Sequence, residues 1–213
     1  TLSGRPGKLH LESVADIPTP KGTLVDYQLQ DIERVSQSLK TLKRLIPSHS
    51  DYAATAVTGS NVITKVIQID ARLSDKELEN QVQLEAEQII PFPLDEVSLD
   101  FEVLGTGNSE DRQDVLLSAA RTESVNGRVS ALAEAGIAEA GIAVKVVDVG
   151  AHALGRAVVA CLPELQESER PIGVIDIGAS AMTFAALVKG EVIYSRLQNF
   201  GGDQYSQALS SFY

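Results

Sequence analysis

The segment "VIDIGASAMTFAALVKGEVIYSRLQNFGGDQY", residues 174–205, contains the residues best suited to chemistry. Asp176 lies in an apolar run that predicts a buried strand, and Gly178, Ala179 and Ser180 follow in a tight turn. Backbone N–H groups in such a turn can donate to phosphate oxygens, and a carboxylate can hold Mg²⁺ through water. The segment therefore predicts a phosphate-binding turn in which Asp176 holds the metal.

A second turn in the same segment, "FGGDQY", places Gly201 and Gly202 before a helix-like sequence. The N–H groups at the start of a helix attract anions, so these glycines are also predicted near phosphate. An alternative stays open, because Asp-x-Gly and Gly-Gly are also ordinary turn sequences. The chain contains neither a P-loop nor the glycine pattern of a dinucleotide-binding turn.

The charge of the chain limits its partners. The 213 residues have a formal net charge of −11 and a pI of about 4.7. A nucleic-acid partner is not expected, because it would need clustered Lys and Arg. Anionic lipid would not attract such a chain either, so contact with a membrane is expected only through partners.

Cysteine and histidine usage points to a cytosolic protein without a zinc site. The single cysteine, Cys161, cannot form an internal disulfide, and its apolar surroundings predict a small buried side chain. His10, His49 and His152 are too scattered to form a zinc site. The chain begins at Thr1 and ends within a helix-like pattern, so a piece of a longer protein is expected.

Strands and helices must position these turns. Apolar residues at helical spacing predict helices over 31–46, 75–90, 123–135 and 151–161. Ser74 and Glu77 have the spacing of a capping box at the second helix. Strict alternation predicts a half-buried antiparallel strand over 97–104. The sequence "AEAGI" occurs twice in tandem from Ala133, which we interpret as a longer helix end or loop.

Several stretches resemble known proteins. The segment at 174–205 resembles the second phosphate motif of the actin-like ATPase superfamily, with its following hairpin and Gly-Gly turn. "LEAEQIIPFPLDEVSLDFEVLG" is closely similar to the PilM family of type IV pilus assembly proteins, in which a helix ends in a Pro-aromatic-Pro-Leu turn. "ARTESVNGRVSALAEAGI" and "VVDVGAHALGRA" resemble the same family. The resemblance covers nearly the whole chain.

The resemblance implies an α/β chain with an actin-like (ribonuclease H-like) fold. An FtsA-type subdomain, made of a small sheet plus helices, would be inserted at 52–148. Residues 1–51 and 149–163 would belong to the first actin-like half, and residues 164–213 would open the second half. Both halves would be incomplete in this chain.

The resemblance also implies a function. PilM proteins are cytoplasmic scaffolds at the inner membrane that bind ATP and the N-terminal peptide of PilN, and so connect the pilus motor ATPases to the periplasmic complex. The residues that would meet the β- and γ-phosphates and Mg²⁺ are Asp176, Gly178, Ala179 and Ser180. Gly201 and Gly202 would lie near the phosphates or the ribose. A peptide can add a strand to an exposed sheet edge, and the acidic chain would favour a basic residue in it.

Departures from the family pattern leave alternatives open. The first phosphate loop would lie before Thr1 and the adenine-binding motif after Tyr213, so weak or no ATP binding is expected of this chain alone. Gly150 stands where the family usually has an acidic residue, with His152 following, which leaves hydrolysis open and predicts weak or no ATPase activity. The alternatives are an FtsA-like division adaptor, or an actin-like ATPase or sugar kinase with Asp148 as its catalytic carboxylate.

Overall fold

Single α-helices separate groups of one to four strands in the described part of the chain. The computed structural model describes residues 1–5, 8–46, 52–59, 62–106, 111–136 and 143–212. Its helices are α1 (Ile32–Leu45), α2 (Asp75–Ile89), α3 (Thr122–Glu134), α4 (Gly150–Cys161) and α5 (Gly202–Ser210). Its strands are β1 (Leu2–Arg5), β2 (Lys8–Leu11), β3 (Leu24–Val25), β4 (Gln28–Leu29), β5 (Tyr52–Val57), β6 (Val62–Asp70), β7 (Val97–Thr106), β8 (Arg112–Arg121), β9 (Ala143–Val149), β10 (Ile172–Ile177), β11 (Met182–Val188) and β12 (Glu191–Gln198). Short 3-10 helices cover Leu94–Glu96 and Pro163–Glu167.

The chain divides into two compact units. The inserted unit comprises residues 60–130, and the main unit comprises residues 1–59 and 131–213. The sequence placed an inserted subdomain at 52–148, whereas β5 and β9 pair with each other in parallel within the main unit. The assignment of these units to actin-like halves and an FtsA-type subdomain stays a prediction.

The inserted unit is an antiparallel sheet with the order β6-β8-β7 that packs against α2. Leu78, Val82 and Ala86 recur every fourth residue on α2, so they bury one face of the helix. On the sheet side, Val115 and Leu117 of β8 are fully buried. The helix predicted at 75–90 and the strand predicted at 97–104 are both confirmed.

The ends of α2 follow from local sequence. The backbone N–H and the hydroxyl of Ser74 both donate to the Glu77 carboxylate, at 3.0 and 2.6 Å. These hydrogen bonds lower the pKa of Glu77, and the bond from the Ser74 hydroxyl has the larger effect. The helix ends at Ile89, before the turn "PFP", where the Arg121 guanidinium lies 4.2 Å from the centre of the Phe92 ring.

The main unit places α4 against the antiparallel sheet β10-β11-β12. Val159 of α4 packs with Ala185 and Leu187 of β11 in a small buried cluster. Gly155 lies so close to Val192 of β12 that a larger residue would collide with it. This packing determines where β10 and the turn that follows it lie.

The structure corrects two expectations about burial. The strand over 173–177 was expected to be buried, but Ile175 and Ile177 are 61% and 68% exposed. β10 is an edge strand of its sheet, and Val174 on its opposite face contacts the cluster around Val159. Cys161 is exposed rather than buried, because it lies off the α4 face that buries residues 151, 155 and 159.

The tandem "AEAGI" falls largely outside the described residues. α3 ends at Glu134, and residues 137–142 are not described. The lengthened helix end or loop expected there therefore stays a prediction.

Candidate functional site

The first predicted phosphate turn connects β10 to β11. The Gly178 N–H donates to the Ala181 carbonyl at 2.9 Å, which closes the turn and leaves Ala179 and Ser180 exposed at its tip. Among the described residues, no protein acceptor is seen for the N–H groups of Ala179 and Ser180. Two backbone donors and one hydroxyl therefore meet at one exposed tip, as an anion site requires.

The glycine turn before α5 lies directly against this tip. The Gly202 N–H donates to the Gly178 carbonyl at 3.0 Å, and the Asp203 N–H donates to the Ala179 carbonyl at 2.8 Å. A Cβ on Gly201 would lie 2.5 Å from both of those carbonyl oxygens, so only glycine fits there. The structure thus brings together the two turns that the sequence singled out separately.

Three N–H groups at the start of α5 are already used within the protein. The Gly201 N–H donates to the Gln204 side chain at 2.8 Å, and the next two N–H groups bind the neighbouring turn. The geometry therefore gives Gly201 and Gly202 a supporting contact with the phosphate turn. Their direct contact with a nucleotide stays a prediction.

Asp176 lies one residue before the end of β10, paired with Thr183 of β11, and is exposed. Its charge acts on the neighbouring phenol of Tyr27. Mg²⁺ is usually held by one or two carboxylates together with substrate phosphates and water, so a single exposed carboxylate beside the phosphate turn fits this ion. Among the described residues, no group of three or more His, Cys, Asp or Glu could hold a metal ion on its own.

Tyr27, which the sequence motifs did not indicate, also lies beside the phosphate turn. It lies in the two-residue turn between β3 and β4, and its phenol is close enough to Ser180 and Asp176 for both to affect its pKa. Burial, followed by the charge of Asp176, raises the pKa of Tyr27, although the Ser180 hydroxyl lowers it. The signal in the sequence was "LVDYQL", where a tyrosine follows Asp26 at a position that glycine usually occupies in such turns.

A cavity of about 880 Å³ opens beside the phosphate turn, and its volume is in the range of ligand sites. Ala179 and Ser180 line it together with Lys21 and Asp203, one basic and one acidic residue. The loop that carries Lys21 is held by Thr23, which is fully buried and donates its hydroxyl to the Pro20 carbonyl at 2.7 Å.

Gly150, at the start of α4, packs against Thr58. A Cβ at this position would meet the Thr58 hydroxyl, so a larger residue would require the threonine side chain to turn away. Asp148, the carboxylate considered for a kinase, forms an ion pair with Arg156 and accepts the Val149 N–H at 2.7 Å. Asp148 thus has a structural role at the junction of β9 and α4.

None of the helices in the described ranges is long and apolar enough to cross a membrane.

Known proteins that are similar to this chain identify its family. The family model described as type IV pilus assembly protein PilM matches residues 1–213. A solved chain of a PilM–PilN type IV pilus biogenesis complex is 30% identical and has a TM-score of 0.81, over 100% of this chain and 61% of that one. This chain therefore spans less than two thirds of that relative. The match confirms the α/β fold class.

Two further structures are weaker matches. One is a protein of unknown function with an actin-like ATPase fold from Bacteroides thetaiotaomicron, 8% identical with a TM-score of 0.37 over 83% of this chain and 61% of that one. The other is MreB 5 of Spiroplasma citri bound to AMPPNP, 13% identical with a TM-score of 0.38 over 89% of this chain and 38% of that one. Both TM-scores are too low to support a conclusion about this chain. The family match over all 213 residues, joined to the match with the solved complex, shows that the chain belongs to the PilM family of type IV pilus assembly proteins.

Proposed function

We propose that this chain is part of a cytoplasmic scaffold of the type IV pilus assembly platform, peripheral to the inner membrane. Its full-length parent binds ATP with Mg²⁺ and the N-terminal peptide of PilN. The observation that carries the proposal is the match over 100% of the chain, at a TM-score of 0.81, to a protein solved as a PilM–PilN complex. The pilus motor ATPases, contacted directly or through other components, complete the expected partners, and twitching motility is the process served.

The chemistry of the turn after β10 supports nucleotide binding. Ala179 and Ser180 offer two backbone donors and a hydroxyl at the edge of the cavity, and Lys21 supplies a positive charge there. Asp176 would hold Mg²⁺ through water, and the ion would neutralise phosphate charge. Gly201 and Gly202 would support the turn through their close contacts with its backbone carbonyl groups.

Calorimetric titration of the full-length parent with Mg·ATP tests this site. Asp176→Ala is expected to weaken binding about 10- to 100-fold, because carboxylates that orient a metal's water ligands typically contribute this much. Asp95→Ala, which removes an exposed carboxylate in the inserted unit, is the matched control and should bind like the wild type.

Removal of Mg²⁺ with EDTA makes the test specific to the metal. In EDTA the difference between the wild type and Asp176→Ala should disappear, because both proteins then lack the ion. Equal Mg·ATP affinity for the wild type and Asp176→Ala would overturn the assignment of this turn.

The charge of the chain supports a basic peptide as partner. The net charge of −11 favours a peptide that carries a basic residue, and it makes association depend on salt. The inserted unit offers two edge strands, β6 and β7, in its sheet. An extended peptide can pair with such an edge through main-chain hydrogen bonds.

Fluorescence anisotropy with a labelled PilN N-terminal peptide tests this partner. Binding to the full-length parent is expected, and the affinity should fall as salt rises. A peptide of the same composition in scrambled order is the control. If the two peptides bind equally, the interaction is only electrostatic and the PilN assignment fails.

The surroundings of Asp148 favour a scaffold over a sugar kinase. A kinase needs a carboxylate that is available to take a proton from a substrate hydroxyl. Asp148 is instead paired with Arg156 and with the N–H of Val149.

A further inference from the structure

The helix α5 presents its polar side to the cavity beside the phosphate turn. Four of its residues, Asp203, Ser206, Gln207 and Ser210, line that cavity. Their spacing of three and four residues places them on one face of the helix. All four are exposed, so this face of α5 is open to a ligand in the cavity.

The apolar side chains of α5 do not fill the cavity. Tyr205 and Leu209 are exposed, and neither of them lines it. A helix that covers a core usually buries its apolar stripe and leaves its polar face in water. A ligand without polar groups would leave the polar side chains on this wall without hydrogen bonds, which is costly. The wall therefore suits a ligand that carries hydroxyl groups.

The polar groups of this wall are available for binding. Within the described part of the chain, no hydrogen bond or ion pair involves the side chains of Asp203, Ser206 or Gln207. An ionised carboxylate only accepts hydrogen bonds, whereas a serine hydroxyl and a glutamine amide both donate and accept them. Neighbouring hydroxyl groups of a sugar can donate to the first and exchange hydrogen bonds with the others.

Asp203 connects this wall to the phosphate turn. Its backbone N–H donates to the Ala179 carbonyl at 2.8 Å, and Ser206 follows about 4.5 Å further along the helix axis. A carboxylate repels a phosphate group but accepts a hydrogen bond from a hydroxyl, as acidic residues do with the ribose of bound dinucleotides. The wall thus continues from the phosphate turn, just as the ribose of a nucleotide continues from its phosphates.

We propose that Asp203 and Ser206 are specificity-determining residues that bind the ribose hydroxyl groups of the nucleotide, so that the site prefers ribonucleotides to deoxyribonucleotides. This inference rests on the proposed binding of ATP at the adjoining turn. The Asp203 carboxylate accepts a hydrogen bond from one ribose hydroxyl, and the Ser206 hydroxyl adds a second contact about one helical turn away.

Calorimetric titration of the full-length parent with Mg²⁺ and ATP, 2′-deoxy-ATP or 3′-deoxy-ATP tests the assignment. The wild type is expected to bind at least one deoxy analogue about 10- to 100-fold more weakly than ATP, the range for a hydrogen bond to a charged group. Asp203→Ala should bind that analogue and ATP about equally, because the hydrogen bond can be lost only once. Ser206→Ala should narrow the preference, and the control Asp95→Ala, in the inserted unit, should keep it in full.

The ratio of affinities separates this role from stability and from metal binding. A substitution that only destabilises the protein, or that only removes a contact with the water ligands of Mg²⁺, weakens ATP and the deoxy analogues equally. That result for Asp203→Ala would overturn the assignment. If the wild type binds ATP and both analogues equally well, this inference fails alone. If the wild type binds no Mg·ATP, the proposed function fails and this inference with it.

Discussion

Gly201 shows how a single residue decides the shape of the candidate site. Its missing side chain lets the glycine turn approach the carbonyl oxygens of Gly178 and Ala179, where a Cβ would lie at 2.5 Å. Gly202 makes no comparable contact, since its Cβ would lie 3.9 Å from the Gly178 oxygen. Neighbouring glycines therefore differ sharply in what they tolerate.

We expect Gly201→Ala to lower the free energy of unfolding by about 1–3 kcal/mol, because the added methyl group forces the two turns apart. Gly202→Ala should change it by less than about 0.5 kcal/mol. Urea denaturation of both variants measures the difference. Equal destabilisation by the two substitutions would show that the close contact at Gly201 is not what demands glycine.

At the scale of elements, the start of α2 couples its stability to pH. Hydrogen bonds from Ser74 lower the pKa of Glu77, so the folded state binds the Glu77 proton less tightly than the unfolded state does. The resulting stabilisation is fully present above the ordinary Glu pKa of about 4.3. It is lost as pH falls through the lowered value.

Thermal denaturation from pH 7 down to pH 3 tests this coupling. Glu77→Gln is expected to lower the melting temperature at pH 7 and to converge on the wild type in acid. Glu79→Gln, an exposed residue on the same helix, serves as the control. A wild-type advantage over Glu77→Gln that grows in acid would contradict the sign of the pKa shift.

Ser74→Ala removes the hydroxyl that binds Glu77 at the start of α2. Loss of a helix N-cap side chain typically costs enough to lower the melting temperature by about 2–4 °C in a chain of this size. The effect should be smaller in the Glu77→Gln background, because the Ser74 hydroxyl donates to the Glu77 carboxylate. Independent effects in that double variant would show that the cap does not act as one unit.

At the scale of the whole molecule, each unit has its own buried cluster. Leu117 is fully buried in the inserted unit, and Leu187 is 1% exposed in the main unit. Neither cluster, as described, includes a residue of the other unit. The two leucines are therefore matched probes of the two units.

We expect Leu117→Ala to destabilise the inserted unit by about 2–5 kcal/mol, the usual cost of such a cavity. Hydrogen exchange should then show lost protection in β6, β7 and β8, while β11 and β12 keep theirs. Leu187→Ala should produce the opposite pattern. Equal loss of protection in both units after either substitution would mean that they unfold as one.

Local patterns in the sequence predicted most of the elements. Leu78, Val82 and Ala86 recur every fourth residue. This spacing predicted α2, because a helix repeats every 3.6 residues. Ser74 marked its start, and the turn "PFP" marked its end. These signals depend on residues near one another in the chain, which is why they can be recognised without the fold.

Burial of individual side chains was less predictable. The apolar run around Ile175 and Ile177 indicates a strand but not its neighbours, and β10 turned out to be an edge strand with one exposed face. Cys161 lies in an apolar stretch, but its position relative to the buried face of α4 makes it exposed. Exposure depends on which faces meet in the tertiary structure.

The sequence by itself determined the family, the α/β class and the two turns containing Asp176 and Gly201, because residue types and spacing are local properties. Only the tertiary structure decided that these turns bind each other and that Tyr27 lies beside Ser180. The two residues of that last pair are separated by more than 150 positions in the chain. Contacts over such separations arise from the packing of whole elements, so no local pattern could predict them.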